Sequence, residues 1–232
     1  MRVRTGNRIV DLLPREESRR LLSLAQAVSL PHGQPVFQRD GPVSHVYFPT
    51  SSVFGVVLVI ADGKQVEGAT VGSEGMVGLP AFLGLNFHPF KVIVQVPGEA
   101  LQMSSTAFSQ AATPGGTLDR ILRRYTLYRL AGANQTGACN TLHPVEERMA
   151  RWLLMAHDGG GKDEFFLTHE IMSELLGVRR QTISIIARTL QQAGLITYRR
   201  GILRVLDRTG LEAASCDCYR VLKTLYDRIM AP

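Results

Sequence analysis

The run Thr168–Ile196, THEIMSELLGVRRQTISIIARTLQQAGLI, constrains the fold more than any other part of the chain. It holds two helical periods parted by a single glycine. Thr168 stands where a side-chain oxygen caps a helix start, and Glu170 in the first turn suits the helix dipole. Ile171, Leu175 and Leu176 share one face. Gly177 then takes the position where a helix ends in a left-handed residue, which glycine reaches without strain. Val178 plugs the corner. The second period buries Ile183, Ile186, Ala187 and Leu190 at i, i+3, i+4, i+7. Its opposite face carries Arg180, Ser184 and Arg188, flanked by Gln181. A helix with that stripe fits the major groove of double-stranded DNA. Arginine pairs with guanine and glutamine with adenine, and Ile185 suits a thymine methyl. Arg179 and Thr182 are placed for phosphates. Gly194-Leu195-Ile196 ends the helix, and strands Ile196–Arg199 and Ile202–Leu206 around Arg200-Gly201 make a wing. Arg199 and Arg200 at its tip suit phosphate contact.

Charge agrees with this placement. Between Gly177 and Arg208 stand seven arginines and one acid, Asp207, a net +6 that equals the charge of the whole chain. Arginine without lysine is the choice where guanidinium forks grip phosphates or guanine edges.

The rest of the chain falls into two further zones. From about Pro31 to Met103 it is rich in Gly, Pro and Val. Short apolar runs are separated by turn signals such as Asp40-Gly41-Pro42, Asp62-Gly63 and Pro97-Gly98, which predicts an all-β sandwich or barrel. Asp62-Gly63 between Val56–Ile60 and Val66–Val71 reads as a hairpin turn. A short helix over Arg15–Ala27 precedes this zone. From Thr117 to Leu142 the turn signals stop. Leu118, Ile121, Tyr125, Tyr128, Gly132, Gln135, Cys139 and Leu142 recur at alternating spacings of 3 and 4, a heptad seam. We read the first seven as a homodimer seam; the alternative is an amphipathic helix packed on its own domain. A helix over Val145–Ala156 follows, with Gly159-Gly160-Gly161 as the loop after it.

These residues resemble the Crp/Fnr family of bacterial regulators. The family's pattern of Thr, Leu-Gly, Arg-x-Thr-[Val/Ile]-[Ser/Thr] and Gly-Leu-Ile is matched by Thr168, Leu176-Gly177, Arg180 to Ser184 and Gly194-Leu195-Ile196. The resemblance implies an α+β chain. A cyclic-nucleotide-binding-type jelly roll or β-roll would span residues 1–112, a dimerisation helix 113–143 and a winged helix-turn-helix 144–232. The hinge would fall at Leu142–Arg148. It also implies a transcription regulator and not an enzyme, with RNA polymerase and a small-molecule effector as further partners. The second arginine that the family often carries five positions after the first is Ile185 here, so the family's usual operator is not expected.

The sensor departs further. Members that bind cyclic AMP hold the ribose with Gly-Glu and the phosphate with Arg-Ser or Arg-Thr. Here Leu79 follows Gly78, and no arginine occurs from Lys64 to Met103. A buried phosphate needs a paired cation or several amide donors. Cyclic AMP is therefore not the expected effector. Glu74, Gly75, Gly78, His88, Lys91, Tyr125 and Tyr128 are the candidate pocket residues, and a ligand-free, constitutive DNA binder is the alternative.

No metal or cofactor is predicted. An iron–sulfur cluster of the Fnr type needs four cysteines, and the chain has three: Cys139, Cys216 and Cys218. Cys216 and Cys218, two apart on a helix, would point away from each other. His32, His45, His88, His143 and His157 stand in no ligand spacing, and a cupin-like enzyme would need His clustered on neighbouring strands. Scattered cysteines, no hydrophobic leader at the N-terminus and no apolar run near ~18 residues predict a cytoplasmic chain without a membrane span.

Overall fold

Alternating apolar residues build the first half of the molecule as antiparallel strands. A computed structural model of the chain describes residues 4–59 and 65–231. The Asp62-Gly63 turn lies outside them. Helices α1 (Arg8–Asp11) and α2 (Arg15–Leu24) lead into β1 (Gln26–Leu30), β2 (Pro35–Phe37), β3 (Gly41–Pro42), β4 (His45–Pro49), β5 (Val53–Val59) and β6 (Gln65–Val71). Then come α3 (Leu79–Phe82), β7 (Phe87–His88), β8 (Lys91–Val96), β9 (Gly98–Ser104) and α4 (Ser105–Ala111). The strands form one sheet in the order β1-β9-β4, a second in the order β2-β8-β5-β6, and a ribbon β3-β7. Phe37, Tyr47, Phe54, Val92 and Val94 fill the space between the sheets. Strand β4 is buried on both faces: Tyr47 points into that core, while Val46 and Phe48 point into another shared with the helices.

The second half is helical. It contains α5 (Thr117–Leu142), α6 (Val145–Gly160), β10 (Glu164–Phe166), α7 (His169–Leu176), α8 (Arg180–Gln192), β11 (Ile196–Arg199), β12 (Ile202–Val205), α9 (Arg208–Ala214) and α10 (Cys218–Met230). The chain is thus α+β: a β-roll, a long helix and a helix-turn-helix with a wing. Strand β10 turns the expected two-stranded wing into a three-stranded sheet ordered β10-β12-β11. Its three residues are too few to show a period-2 pattern.

Three sequence expectations need correction. The first concerns the seam of α5. Leu118, Ile121, Tyr125 and Tyr128 are buried within the chain, and α10 with the turn before it fills the seam as far as Cys139. Tyr128 meets Tyr226 edge-on at 5.0 Å. A Cβ on Gly132 would touch Leu222, Gln135 donates to Cys218 Sγ at 3.0 Å, and Cys139 Sγ lies 3.5 Å from Cys216 Sγ. Periodicity reveals that a helix has an apolar seam, not whose surface fills it. Helix α10, buried at Tyr219, Leu222, Tyr226 and Met230, has the matching stripe. The free face of α5 lies roughly opposite and carries Leu127, Leu130, Asn134, Gly137, Ala138 and Thr141, all exposed.

The second concerns Gly159-Gly160-Gly161. Helix α6 runs through Gly160, and Gly161 ends it in the left-handed region at φ 62°. The glycines let two backbones meet: Ser73 N donates to Gly159 O at 3.1 Å, and a Cβ on Gly72 would stand 2.3 Å from Gly159 Cα. Any side chain there would push α6 off the β-roll. The third concerns the cysteines. Cys216 lies in the turn before α10 rather than on a shared helix with Cys218, so both side chains reach the same small cluster as Cys139.

Beside that backbone contact, a polar knot joins the β-roll to α6. Glu67 on β6 is buried and accepts from the Thr70 hydroxyl, the Gln95 amide and, at 3.0 Å, the Trp152 indole N–H of α6. Burial pushes its carboxyl above the usual glutamate range, against the hydrogen bonds that lower it. The folded state therefore holds a proton to higher pH than the unfolded chain. Stability contributed by Glu67 is full below the unfolded pKa and falls as pH rises through the folded one. Glu67→Gln should flatten that decline in thermal unfolding followed from acid to neutral pH. Glu67→Leu, which strands three buried donors, should cost ~1–3 kcal/mol for each donor left unpaired. A pH profile unchanged by Glu67→Gln would rule out this linkage.

Candidate nucleic-acid interface

The helix-turn-helix is built by local chemistry. The Thr168 side chain accepts from Ile171 N at 3.2 Å and starts α7. Gly177 ends it at φ 65°, and Val178 N donates back to Ser173 O at 3.0 Å, which turns the chain into α8. Ile183, Ile186, Ala187 and Leu190 of α8 enter a core with Leu153, Leu175, Ile196 and Leu203. The opposite face stays in solvent: Arg180, Gln181, Ile185 and Arg188 are exposed, and Thr182 is half-buried. Ile185 is 67% exposed, uncommon for so large an apolar side chain on a helix with a buried face. Arg179 is the residue before α8, exposed, and no side chain among the described residues caps the first N–H groups of that helix. Those donors point outward with the positive end of the helix dipole.

Ser184 sits on the same stripe but is already engaged. Its Oγ lies 2.9 Å from His169 Nδ1 and donates to Arg180 O at 3.1 Å. His169 stacks on Tyr198 of the wing at 4.4 Å between ring centroids. Burial and the Arg180 charge lower the pKa of His169, so its ring is neutral at neutral pH. Gln191 Oε1 accepts from Tyr198 N at 2.9 Å. The wing is thus tied to both helices. His169 was not singled out from the sequence; nothing but its place at the first turn of α7 marked it. Arg180 keeps a loose contact with Glu170 at 3.9 Å, both largely exposed, which contributes little.

At the tip of the wing Arg199 pairs with Ile202 across a two-residue turn. Arg200 and Gly201 both have positive φ, 52° and 80°, the type I′ geometry that matches strand twist. The turn holds the Arg199 and Arg200 side chains in solvent.

The candidate effector residues do not form one site. Gly78 and His88 line a cavity of about 380 Å³ between the β-roll and α5. Its walls are otherwise largely apolar, including Leu58, Leu79, Phe90 and Leu130, and Arg129 is its one arginine among the described residues. Arg129 Nη1 already donates to Thr70 O at 2.8 Å. His88 stacks on Phe37 at 4.8 Å and its Nδ1 meets Phe90 O, and burial lowers its pKa. Glu74 and Tyr128 line a different cavity of about 260 Å³, near Tyr219 and Tyr226. There the Glu74 carboxylate accepts from Gly72 N. Gly75 packs against the Tyr125 hydroxyl, where a Cβ would have no room. Tyr125 is fully buried, and Lys91 lines neither cavity. Helix α5 was expected at the pocket through Tyr125 and Tyr128, but it is Thr126, Arg129, Leu130 and Ala133 that line the apolar cavity.

Comparison with known proteins follows the same division. A model described as the cyclic nucleotide-binding domain matches residues 27–113, and one described as a Crp-like helix-turn-helix domain matches residues 147–214. Among solved structures, FixK2 from Bradyrhizobium japonicum aligns at a TM-score of 0.67 and 17% identity, over 83% of this chain and 98% of that one. A putative transcriptional regulator of the Crp/Fnr family from Eubacterium rectale aligns at 0.64 and 15% identity, over 91% and 99%. CLP, a c-di-GMP responsive global regulator of Xanthomonas campestris, aligns at 0.60 and 17% identity, over 84% and 100%. At these identities the likeness is one of fold. A comparison with curated proteins finds no sequence match.

Proposed function

Because the chain belongs to the Crp/Fnr family of DNA-binding transcription regulators, we propose that α8 reads a two-fold DNA site as part of a homodimer. The observation that carries the reading is the exposed stripe Arg180, Gln181, Ile185 and Arg188, whose helix is buried on its other side. Arg180 and Arg188 address guanine edges, Gln181 an adenine, and Ile185 a thymine methyl. Ser184 acts mainly by holding His169, and through it the angle between α8 and the wing. Arg179, Thr182, Arg199 and Arg200 contact phosphates and set the register. RNA polymerase is the further partner that this reading implies.

The dimer is proposed to form on the free face of α5. Leu127 and Leu130 supply apolar surface there, and Gly137 and Ala138 allow close approach of a second helix. Two recognition helices would then stand one helical turn of DNA apart, or a multiple of it. The apolar cavity beside α5 suits a small effector of largely apolar character. A cyclic nucleotide would bring its phosphate to one guanidinium that already has a partner.

Three measurements test these statements. With an operator selected from random duplexes, Arg180→Ala should lose ~1–3 kcal/mol of discrimination at one base pair. Arg200→Ala should weaken all sequences alike and reduce the salt slope by about 1. Wild-type discrimination in Arg180→Ala would refute the role of α8. Leu127→Glu should convert the dimer to a monomer in sedimentation and weaken operator binding by ~100-fold or more, as two linked half-site contacts become one. A Leu127→Glu dimer would move the interface elsewhere. Calorimetric titration with cyclic AMP should give no saturable heat, and a micromolar Kd would overturn the proposed chemistry of the cavity.

A further inference from the structure

Four metal-ligating side chains converge at the joint between the long helix and the DNA-reading unit. Cys139 lies one turn before the end of α5, and His143 is its C-terminal cap. Cys216 and Cys218 flank Asp217 at the start of α10. The three sulfurs and a ring nitrogen of His143 all lie within 4.8 Å of one another. Cys139 Sγ is 3.5 Å from Cys216 Sγ, and Cys218 Sγ is 3.6 Å from His143 Nδ1. A tetrahedral ion with metal–sulfur bonds of about 2.3 Å spaces its ligands about 3.8 Å apart. The four atoms therefore need only small adjustments to hold one ion. A polynuclear iron–sulfur cluster would need the sulfurs spread wider, to make room for its own iron and sulfide.

The surroundings have what a metal site needs and a plain apolar cluster does not. The second ring nitrogen of His143, Nε2, faces the Asp217 carboxylate at 3.6 Å. That carboxylate–histidine arrangement orients metal-bound imidazoles. Gln135 Nε2 points its N–H at Cys218 Sγ from 3.0 Å, a donor suited to a thiolate. Arg148 and Arg151 of α6 are both buried, and among the described residues neither forms a salt bridge with a carboxylate. Among the described residues the Nε of each lacks a hydrogen-bond partner. Arg148 Nη1 reaches Asn140, next to Cys139, and Arg148 Nη2 reaches Leu176 O at the end of α7. Two buried cations without an ion-paired carboxylate are costly. Three thiolates around a divalent ion carry one net negative charge, which offsets part of that cost.

We propose that Cys139, His143, Cys216 and Cys218 form a mononuclear site for a thiophilic divalent cation, zinc by its preference for tetrahedral sulfur and imidazole. On binding, each thiol releases its proton to solvent as its sulfur joins the ion, and no electron is transferred. The ion staples the end of α5 to the start of α10, immediately before the Pro144 link into α6. The site is independent of the DNA-binding surface.

The test uses the full chain purified anaerobically without chelator. Elemental analysis should find one zinc per chain. After removal of zinc, titration with Co(II) should saturate at one ion per chain, with sulfur-to-cobalt charge-transfer absorption and the intense visible bands of a tetrahedral centre. His143→Gln, at a partly exposed position away from the core, should still fold, hold the ion more weakly and shift the cobalt bands. Cys218→Ser should abolish the sites's tight retention of zinc. Metal-free protein whose Co(II) spectrum shows only the weak bands of an octahedral aquo ion would overturn the proposal. So would a Cys139–Cys216 disulfide in the anaerobic protein, or wild-type cobalt bands in His143→Gln.

Discussion

Helix α10 lies in the seam of α5, and the arrangement of the whole C-terminal half depends on that contact. Tyr226 against Tyr128 and Leu222 against Gly132 bury the last helix on the long one. Each such apolar side chain taken out of water contributes ~1.5–3 kcal/mol. The same packing leaves one face of α5 to the β-roll, one to α10 and a third, with Leu127 and Leu130, in solvent. Helix α10 joins two cores: Tyr219 enters that of the winged unit, and Tyr226 and Met230 enter the one lined by α5. Any movement of the winged unit against the β-roll has to be absorbed at the ends of α5 or at the Pro144 link.

A second contact limits that movement from the other side. The Gly72–Gly159 approach and the buried Glu67–Trp152 bond fasten α6 to the β-roll. One is steric and leaves no room for a side chain. The other is polar and carries its full cost if either partner is lost. The winged unit is thus held through α6 at one end and α10 at the other. Between these attachments α8 presents Arg180, Gln181 and Arg188 outward, and the His169–Tyr198 stack keeps the wing at a set angle to it.

The parts of this structure that were legible in sequence are those ruled by local chemistry. Thr168, Gly177 and the spacing from Ile183 to Leu190 specify two helices and the turn between them without reference to the rest of the chain. The arginine tip of the wing is equally local, because Arg200-Gly201 is itself a turn signal. What escaped were the features that depend on one particular distant partner. The heptad seam of α5 was visible as a seam, but its occupant lies some eighty residues on in sequence (Gln135 to Cys218 are 83 apart). The three glycines at the end of α6 resemble a loop until Gly72 is seen against Gly159. Cys139 and His143 are one helical turn apart, yet that spacing carries no meaning without Cys216 and Cys218. The effector residues were only partly legible: Tyr125 and Tyr128 put α5 at the pocket, but Thr126, Arg129, Leu130 and Ala133 are the α5 residues that line the apolar cavity.

That lining bears on how a ligand would act. The cavity takes Leu58, Leu79 and Phe90 from the β-roll and Arg129 and Leu130 from α5, so an occupant touches both bodies at once. A ligand shifts an arrangement only to the extent that it binds one form better than another. The position of α5 against the β-roll is one source of such a difference, since both line the cavity. Leu130 stands both at the cavity edge and on the free stripe of α5. In the proposed dimer one residue would therefore meet ligand on one side and the second copy on the other. In such a dimer, filling the cavity and pairing the long helices would be coupled by packing at Leu130, with no charged relay required.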